Sequence, residues 1–204
     1  MAQLDFTKNY IIENSRVRLS PLNIEHFVAL KSIANNRQIW TYFLEKGYGE
    51  DNFQTYFHAA LQQKNNQKEY PFVVFDKSKQ QYAGMTRLYN YLPNLESIKL
   101  GHTWYGTAFQ GTGLNKNCKY ILFEFAFEQL NLHRIGFGVH AENVRSLNAL
   151  KSVGVQQEGV LRDFLTSIQF NKKVDLIHLS ILKNEWFGKV KAELSIKINY
   201  PLTP

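Results

Sequence analysis

Hydrophobic positions along the chain recur at two periods, and the switches between them outline the elements. Residues 15–22, SRVRLSPL, alternate apolar and polar side chains and predict a short strand that turns at Pro21. Asn23 then offers a cap for a helix whose apolar side would carry Ile24, Phe27, Val28, Leu30, Ile33 and Ala34. A second helix is predicted over 50–64, where Phe53, Tyr56, Phe57, Ala60 and Leu61 follow helical spacing. From residue 70 the texture changes. YPFVVFD (70–76) and QYAGMTRLYN (81–90) are β-branched and aromatic runs joined by KSKQ, a hairpin, and SIKLGHTWYG (97–106) reads as the next strand.

Leu114, Cys118, Ile121, Leu122, Phe125 and Ala126 then form a helical stripe, followed by a strand at HRIGFGVH (133–140). NVRSLNALKSVG (143–154) predicts a short helix that starts at Asn143 and stops at Gly154. Two more strands are expected in 155–170 and 174–182. The tail begins with an apolar and basic helix-like turn near 184, and NYPLTP at its end supports no assignment. The order is strand, two helices, three strands, helix, strand, helix, two strands. It predicts an α+β architecture: a mixed sheet with helices on its faces.

Composition narrows the setting. At 204 residues, without repeats or a Pro/Gly/Ser-rich linker, the chain is expected to be one domain over 1–204, with its core at about 15–186. No apolar run is long enough to span a membrane, and the N-terminal stretch lacks the features of a signal peptide. Cys118 stands alone, so an intramolecular disulfide or a cysteine metal cluster is excluded and a cytoplasmic setting is expected. His133, His140 and His178 fall on separate strands without metal-ligand spacing, so no metal is expected. The net charge of +7 suits an acidic partner such as a nucleotide or nucleic acid. The basic residues are scattered, however, and no nucleic-acid-binding motif is spelled, so nucleic acid is not expected.

The chemistry concentrates in QGTGLN (110–115), where Gly111 and Gly113 weaken the start of a helix. A glycine-rich turn entering a helix aims several N–H groups and the positive end of the helix dipole at one spot, which suits a phosphate. A P-loop would need Lys and Ser/Thr after the last glycine, where Leu114 and Asn115 stand. A dinucleotide fingerprint would need a third glycine, where Lys116 stands, and an acidic residue ending the next strand, which ends at His140.

GHTWYGTAFQGTGLNKNCKYILFEFAFEQL, followed by HRIGFGV and AENVRSLNALKSVGV, resembles the coenzyme A core of the GCN5-related N-acetyltransferases, more narrowly their RimJ/RimL-type branch. The resemblance covers roughly 15–186 and is most specific from 100 to 165. It implies a mostly antiparallel mixed sheet with helices on both faces, and acetyl-CoA as the acetyl-donor cosubstrate. It implies that Gln110, Gly111, Thr112, Gly113, Leu114 and Asn115 cradle the pyrophosphate through backbone amides, with Asn115 departing from the commoner Gly/Ala. The strand around His102 to Trp104 would pair with the pantetheine amides, and a backbone N–H there would hold the tetrahedral oxyanion. Asn143 would contact the pantetheine arm.

The proton-transfer groups depart from the family pattern. Leu150 stands where many relatives carry an acidic Tyr, and Ser146, one turn after Asn143, resembles the serine that replaces it; a hydrogen bond to the helix start is the competing role. Lys99 stands where relatives often carry a carboxylate base, which leaves Glu96 and His102 as candidates, each also open to a structural role. Lys99 would repel a cationic amine. Cys118 falls on the buried stripe and is not expected to act as a nucleophile.

The expected activity is transfer of an acetyl group to a primary amine by direct attack in a ternary complex. The acceptor would be the N-terminus of a ribosomal protein or a small-molecule amine. Transfer of succinyl, and a non-catalytic module that binds acyl-CoA or docks on ribosomes, remain alternatives. Tyr89, Tyr91 and Phe164 are candidates to line an acceptor groove against a default role in the core, and the aromatic later strands are candidates to pair chains in a homodimer.

Overall fold

The computed structural model describes residues 3–199. The strands are β1 (Ile12–Glu13), β2 (Val17–Pro21), β3 (Glu69–Asp76), β4 (Gln81–Leu92), β5 (Ser97–Tyr105), β6 (Arg134–His140), β7 (Gln156–Ser167) and β8 (Lys172–Leu182). They form one eight-stranded sheet in the order β1-β2-β3-β4-β5-β6-β8-β7. Every neighbouring pair is antiparallel except β5 with β6. The helices are α1 (Phe27–Ala34), α2 (Glu50–Asn65), α3 (Leu114–Glu124), α4 (Val144–Ser152), α5 (Lys183–Glu185) and α6 (Lys191–Lys197). This is the expected mixed, mostly antiparallel sheet with helices on both faces.

Strand alternation divides the core in two. On one face Val73, Met85 and Trp104 meet Leu30 and Ala34 of α1 and Phe53, Tyr56, Phe57 and Ala60 of α2. On the other, Tyr70, Phe72, Leu88, Ile98 and Leu100 meet Leu114, Cys118, Ile121 and Leu122 of α3. The N-terminal cap at Asn23 forms as expected, but around a single 3-10 turn, Ile24–His26, with reciprocal bonds between Asn23 and His26. That turn advances by about 120° per residue and moves Ile24 off the apolar stripe. Ile24 is therefore 58% exposed instead of buried; Val28, within α1, is 73% exposed as well, and Leu30 and Ala34 carry the contact.

The tail packs further than its sequence indicates. α5 leads through a π-helical turn, Trp186–Val190, into α6. Trp186 is fully buried with its Nε1 donating to Glu128 Oε1 at 2.7 Å, and Val190 and Leu194 extend the core beyond residue 186. The last residues of NYPLTP, 200–204, lie outside the described residues. β7 forms the sheet edge, and Val160, Leu161 and Phe164 are exposed along it. No helix among the described residues is long and apolar enough to cross a membrane.

Candidate active site

β5 and β6 pair only from Ser97–Lys99 to Arg134–Gly136, after which β5 runs on to Tyr105 and β6 to His140 with no ladder between them. Each remains bound on its outer side, β5 to β4 and β6 to β8, so the sheet is split by a gap that widens toward its end. A β-bulge helps to open it: the β4–β5 register jumps between Met85–Trp104 and Arg87–Gly101, and His102 adopts a left-handed φ of 48°. A bulge bends its strand and takes peptide groups out of the ladder.

At the wide end of the gap lies the start of α3. Gly111 and Gly113 have φ of 73° and 83°, a conformation that disfavours side chains. A Cβ at either would meet nothing within 4 Å, so neither glycine is required by packing against the protein. α3 has no side-chain cap and no acidic residue in its first turn, which leaves its first amides outward and unopposed. The rest of the turn is tied to itself. Gln110 Nε2 donates to Tyr105 O (3.0 Å), Thr112 Oγ1 to Phe109 O (2.7 Å), and Tyr105 OH to Asn115 Oδ1 (3.2 Å). Leu114 is buried in the core and offers only its backbone.

α4 begins differently. Asn143 Oδ1 accepts from Ser146 N at 3.1 Å, an internal cap, while the Ser146 hydroxyl makes no hydrogen bond among the described residues. Arg145 Nη1 donates to Gln110 Oε1, which ties the two helix starts together at the mouth of the gap. Arg145 was missed in the sequence, where one exposed arginine among the 24 basic residues carries no signal.

On the opposite face of the sheet, His102 Nδ1 stands 3.4 Å from Glu45 Oε2, and Tyr89 packs edge-on to the imidazole at 5.3 Å. The Glu45 contact is within ion-pair reach but poorly aligned, so Oε2 is buried without a hydrogen bond among the described residues. Burial raises the Glu45 pKa, but His102, joined by Arg87, outweighs it and holds the carboxyl below its ordinary value. Arg87 is buried, donates to Glu69 Oε2 at 3.0 Å and lies 4.4 Å from the Tyr56 ring centre, with Nε and Nη2 without a hydrogen bond among the described residues. Glu45 and Arg87 were also missed: one sits in the polar stretch LEKGYG, the other inside an apolar strand, and neither pattern marks a site.

Glu96 does not join this cluster. It caps the turn Pro93–Leu95 in a left-handed conformation, and its carbonyl accepts from His133 and Arg134 at the closed end of the gap. Five strand residues, 97–101, separate it from His102, roughly 20 Å along the strand. Trp104 turns its indole into the α1/α2 core, donating to Tyr56 OH at 3.3 Å, so only its backbone lines the gap. Of the candidate groove residues, Tyr89 reaches the site; Tyr91 packs near Leu4, and Phe164 is 58% exposed on the edge strand. His140 packs on Tyr42 at 5.1 Å. No group of three His, Cys, Asp or Glu among the described residues is arranged to hold a metal. The Cys118 thiol is fully buried, which pushes it up to about 12 and leaves no thiolate for attack.

A sheet split at its one parallel pair, beside a glycine-opened helix, defines the fold class of the GCN5-related acetyltransferases. Residues 16–156 match the acetyltransferase (GNAT) domain, and the chain belongs to that family. It is similar to the Bacillus subtilis protein YdaF, named as a ribosomal N-acetyltransferase, with 30% identity over 52% of this chain and 57% of that one. The matched stretch spans about half the length of each of three curated Bacillus relatives. A GCN5-related N-acetyltransferase from Brucella melitensis superposes with a TM-score of 0.85 at 22% identity, over 96% of this chain and 88% of that one. Mycobacterium smegmatis RimJ, solved with CoA-disulfide, shares the fold with a TM-score of 0.76 at 18% identity, over 94% of each chain.

Proposed function

We propose that this chain is a cytoplasmic, acetyl-CoA-dependent N-acetyltransferase, acting as one domain, that moves an acetyl group to a primary amine by direct attack in a ternary complex. One observation carries the reading: the gap between β5 and β6 ends at an uncapped helix whose two glycines leave open space in front of unopposed amides. The residues fit the coenzyme. The amides of 111–115 would hold the pyrophosphate, and Arg145 adds a cation at the mouth. Peptide groups of β5 around His102 to Trp104 would hydrogen-bond the pantetheine arm and the thioester oxygen, and Asn143 would keep its amide N–H groups for that arm.

On the other face, His102 accepts the proton of the attacking amine, and Glu45 acts as a positioning residue that holds the imidazole. Ser146 donates a hydrogen bond to the departing sulfur. The name of YdaF, a ribosomal N-acetyltransferase, favours a ribosomal protein amine as acceptor over a small-molecule amine. Lys99, opposite Tyr89 in the β4–β5 ladder and so on the His102 side of the sheet, works against a highly cationic acceptor.

Thermal melting with acetyl-CoA, CoA, succinyl-CoA and NAD tests the coenzyme site, followed by thiol release with ribosomal-protein N-terminal peptides and with polyamines. Stabilisation by the CoA compounds alone, and release that depends on a peptide amine, are expected. A micromolar site at millimolar acetyl-CoA adds about 4 kcal/mol, so an unshifted melt would sink the reading. A shift without release from any amine would make the chain a binding module.

A further inference from the structure

Lys119 is a buried charge with no structural partner equal to it. It lies on the second turn of α3 with 4% of its surface exposed. Its ammonium makes one long hydrogen bond, 3.4 Å to Thr103 Oγ1 on β5, and stands 5.8 Å from the Phe137 ring centre on β6. No carboxylate pairs with it among the described residues. An ammonium has three protons to donate, so two find no acceptor among the described residues. A methionine would fill the same space without the desolvation cost of an unpaired charge.

The position of this charge is specific. Thr103 and Phe137 both lie beyond the last paired residues of β5 and β6, so the Lys119 head group spans the gap from beneath. The bulge at His102 sends His102 and Thr103 to opposite faces: His102 meets Glu45, and Thr103 meets Lys119. An imidazole therefore stands on one side of the gap and an ammonium on the other.

We propose that Lys119 is the proton donor of this cleft, delivering a proton to the thiolate that leaves the acyl thioester. The inference rests on the acetyltransferase reading. The amine nitrogen forms a bond to the acetyl carbon; the carbon–sulfur bond breaks, and its electron pair stays on sulfur. Sulfur takes a proton from Lys119 Nζ, which becomes a neutral amine. The surplus proton on the amide nitrogen passes to His102. Both side chains return to their starting states through solvent, with no other reactant. Ser146 as a neutral hydroxyl supplies a hydrogen bond but no net proton.

The surroundings suit this role. Burial pushes Lys119 down to about 8, with Cys118 opposing the shift, near the ordinary thiol value of about 8.5. The titratable neighbours are Cys118 on the same helix and, acting through Cys118, Tyr105 from β5 and Asp76 from β3. Cys118 at about 12 and Tyr105 well above its ordinary value stay neutral over the working range. β6 presents the Phe137 ring to the ammonium, and His102 and Glu45 lie across the gap.

The test is thiol release from acetyl-CoA between pH 6 and pH 10, at saturating acceptor, in the full chain. Wild-type kcat should fall above about pH 8 as Lys119 loses its proton. Lys119→Met should lose about 100-fold in kcat at neutral pH and lack that limb, with KM for acetyl-CoA within about threefold and a melting temperature equal to or above wild type. Ser146→Ala should keep the limb. A wild type that turns over while Lys119→Met retains kcat within about twofold overturns the proposal alone; a wild type that neither binds nor turns over acetyl-CoA overturns the acetyltransferase reading with it. Should Lys119→Met not fold, Thr103→Val removes the oxygen that favours the charged form. The limb should then move to lower pH, and an unmoved limb overturns the proposal.

Discussion

In the proposed reading, the coenzyme side of the gap draws chiefly on the stretch 109–119, joined by Asn143, Arg145 and Ser146 at the start of α4, whereas the side chains on the other face come from separate segments: Glu45 before α2, Arg87 on β4 and His102 on β5. The first side works chiefly through backbone amides, whose direction follows from two left-handed glycines and a helix start. The second works through side chains that meet only because the sheet brings them together. A backbone site tolerates side-chain drift; a side-chain site can change its acceptor without disturbing the coenzyme. The two helix starts repeat the contrast, since α3 leaves its amides unopposed and α4 caps its own with Asn143.

This contrast can be broken by mutation. His102→Ala should lower kcat by about 100- to 1,000-fold with acetyl-CoA binding nearly unchanged, and Glu45→Gln by about tenfold through the same imidazole. Steady-state kinetics with calorimetric Kd values check both; a matching loss of coenzyme affinity would show that the two sides are not separable. Gly113→Ala should do the reverse. The side chain costs about 1 kcal/mol at this φ and projects into the space kept for phosphate, so Kd for acetyl-CoA should rise at least about tenfold.

Arg145→Ala should weaken acetyl-CoA by about threefold, with less salt dependence than wild type, as expected of one exposed ion contact. The smallest effect lies outside the cleft. Arg134 holds Glu158 down to about 2, with Ser180 assisting against partial burial. A depressed carboxylate stabilises the fold above its unfolded value and loses that contribution as pH falls through about 4.5 to 2. Both groups are more than a third exposed, so the contribution is screened to about 0.5–1 kcal/mol. Acid melting curves of Glu158→Gln should be correspondingly flatter than wild type, with kcat unchanged.

The strand and helix order was legible because each element satisfies its own period: Tyr70, Phe72 and Val74 alternate onto one face, and Leu114, Cys118 and Ile121 recur on one side of α3. The exceptions have local causes. The 3-10 turn exposed Ile24, and Trp186 found its pocket through contacts with α3 that no pattern in the tail announces. The left-handed glycine turn at the start of α3 was legible too, because glycines at a helix start have a backbone reason that sequence alone displays.

Glu45, Arg87 and Lys119 were not legible. Nothing in LEKGYG, MTRLY or NCKYI separates a cleft residue from a solvated or buried one. Their roles depend on distances across the sheet, from Glu45 to His102 and from Lys119 to Thr103, that close only when β5 bulges and parts from β6. By itself the sequence determined the order of elements, through local periodicity, the family, through the resemblance of its motifs, and the glycine turn at the start of α3, through backbone conformation. Tertiary structure decided which charged groups face the gap from above and below, because burial and electrostatic reach are properties of neighbours distant in sequence.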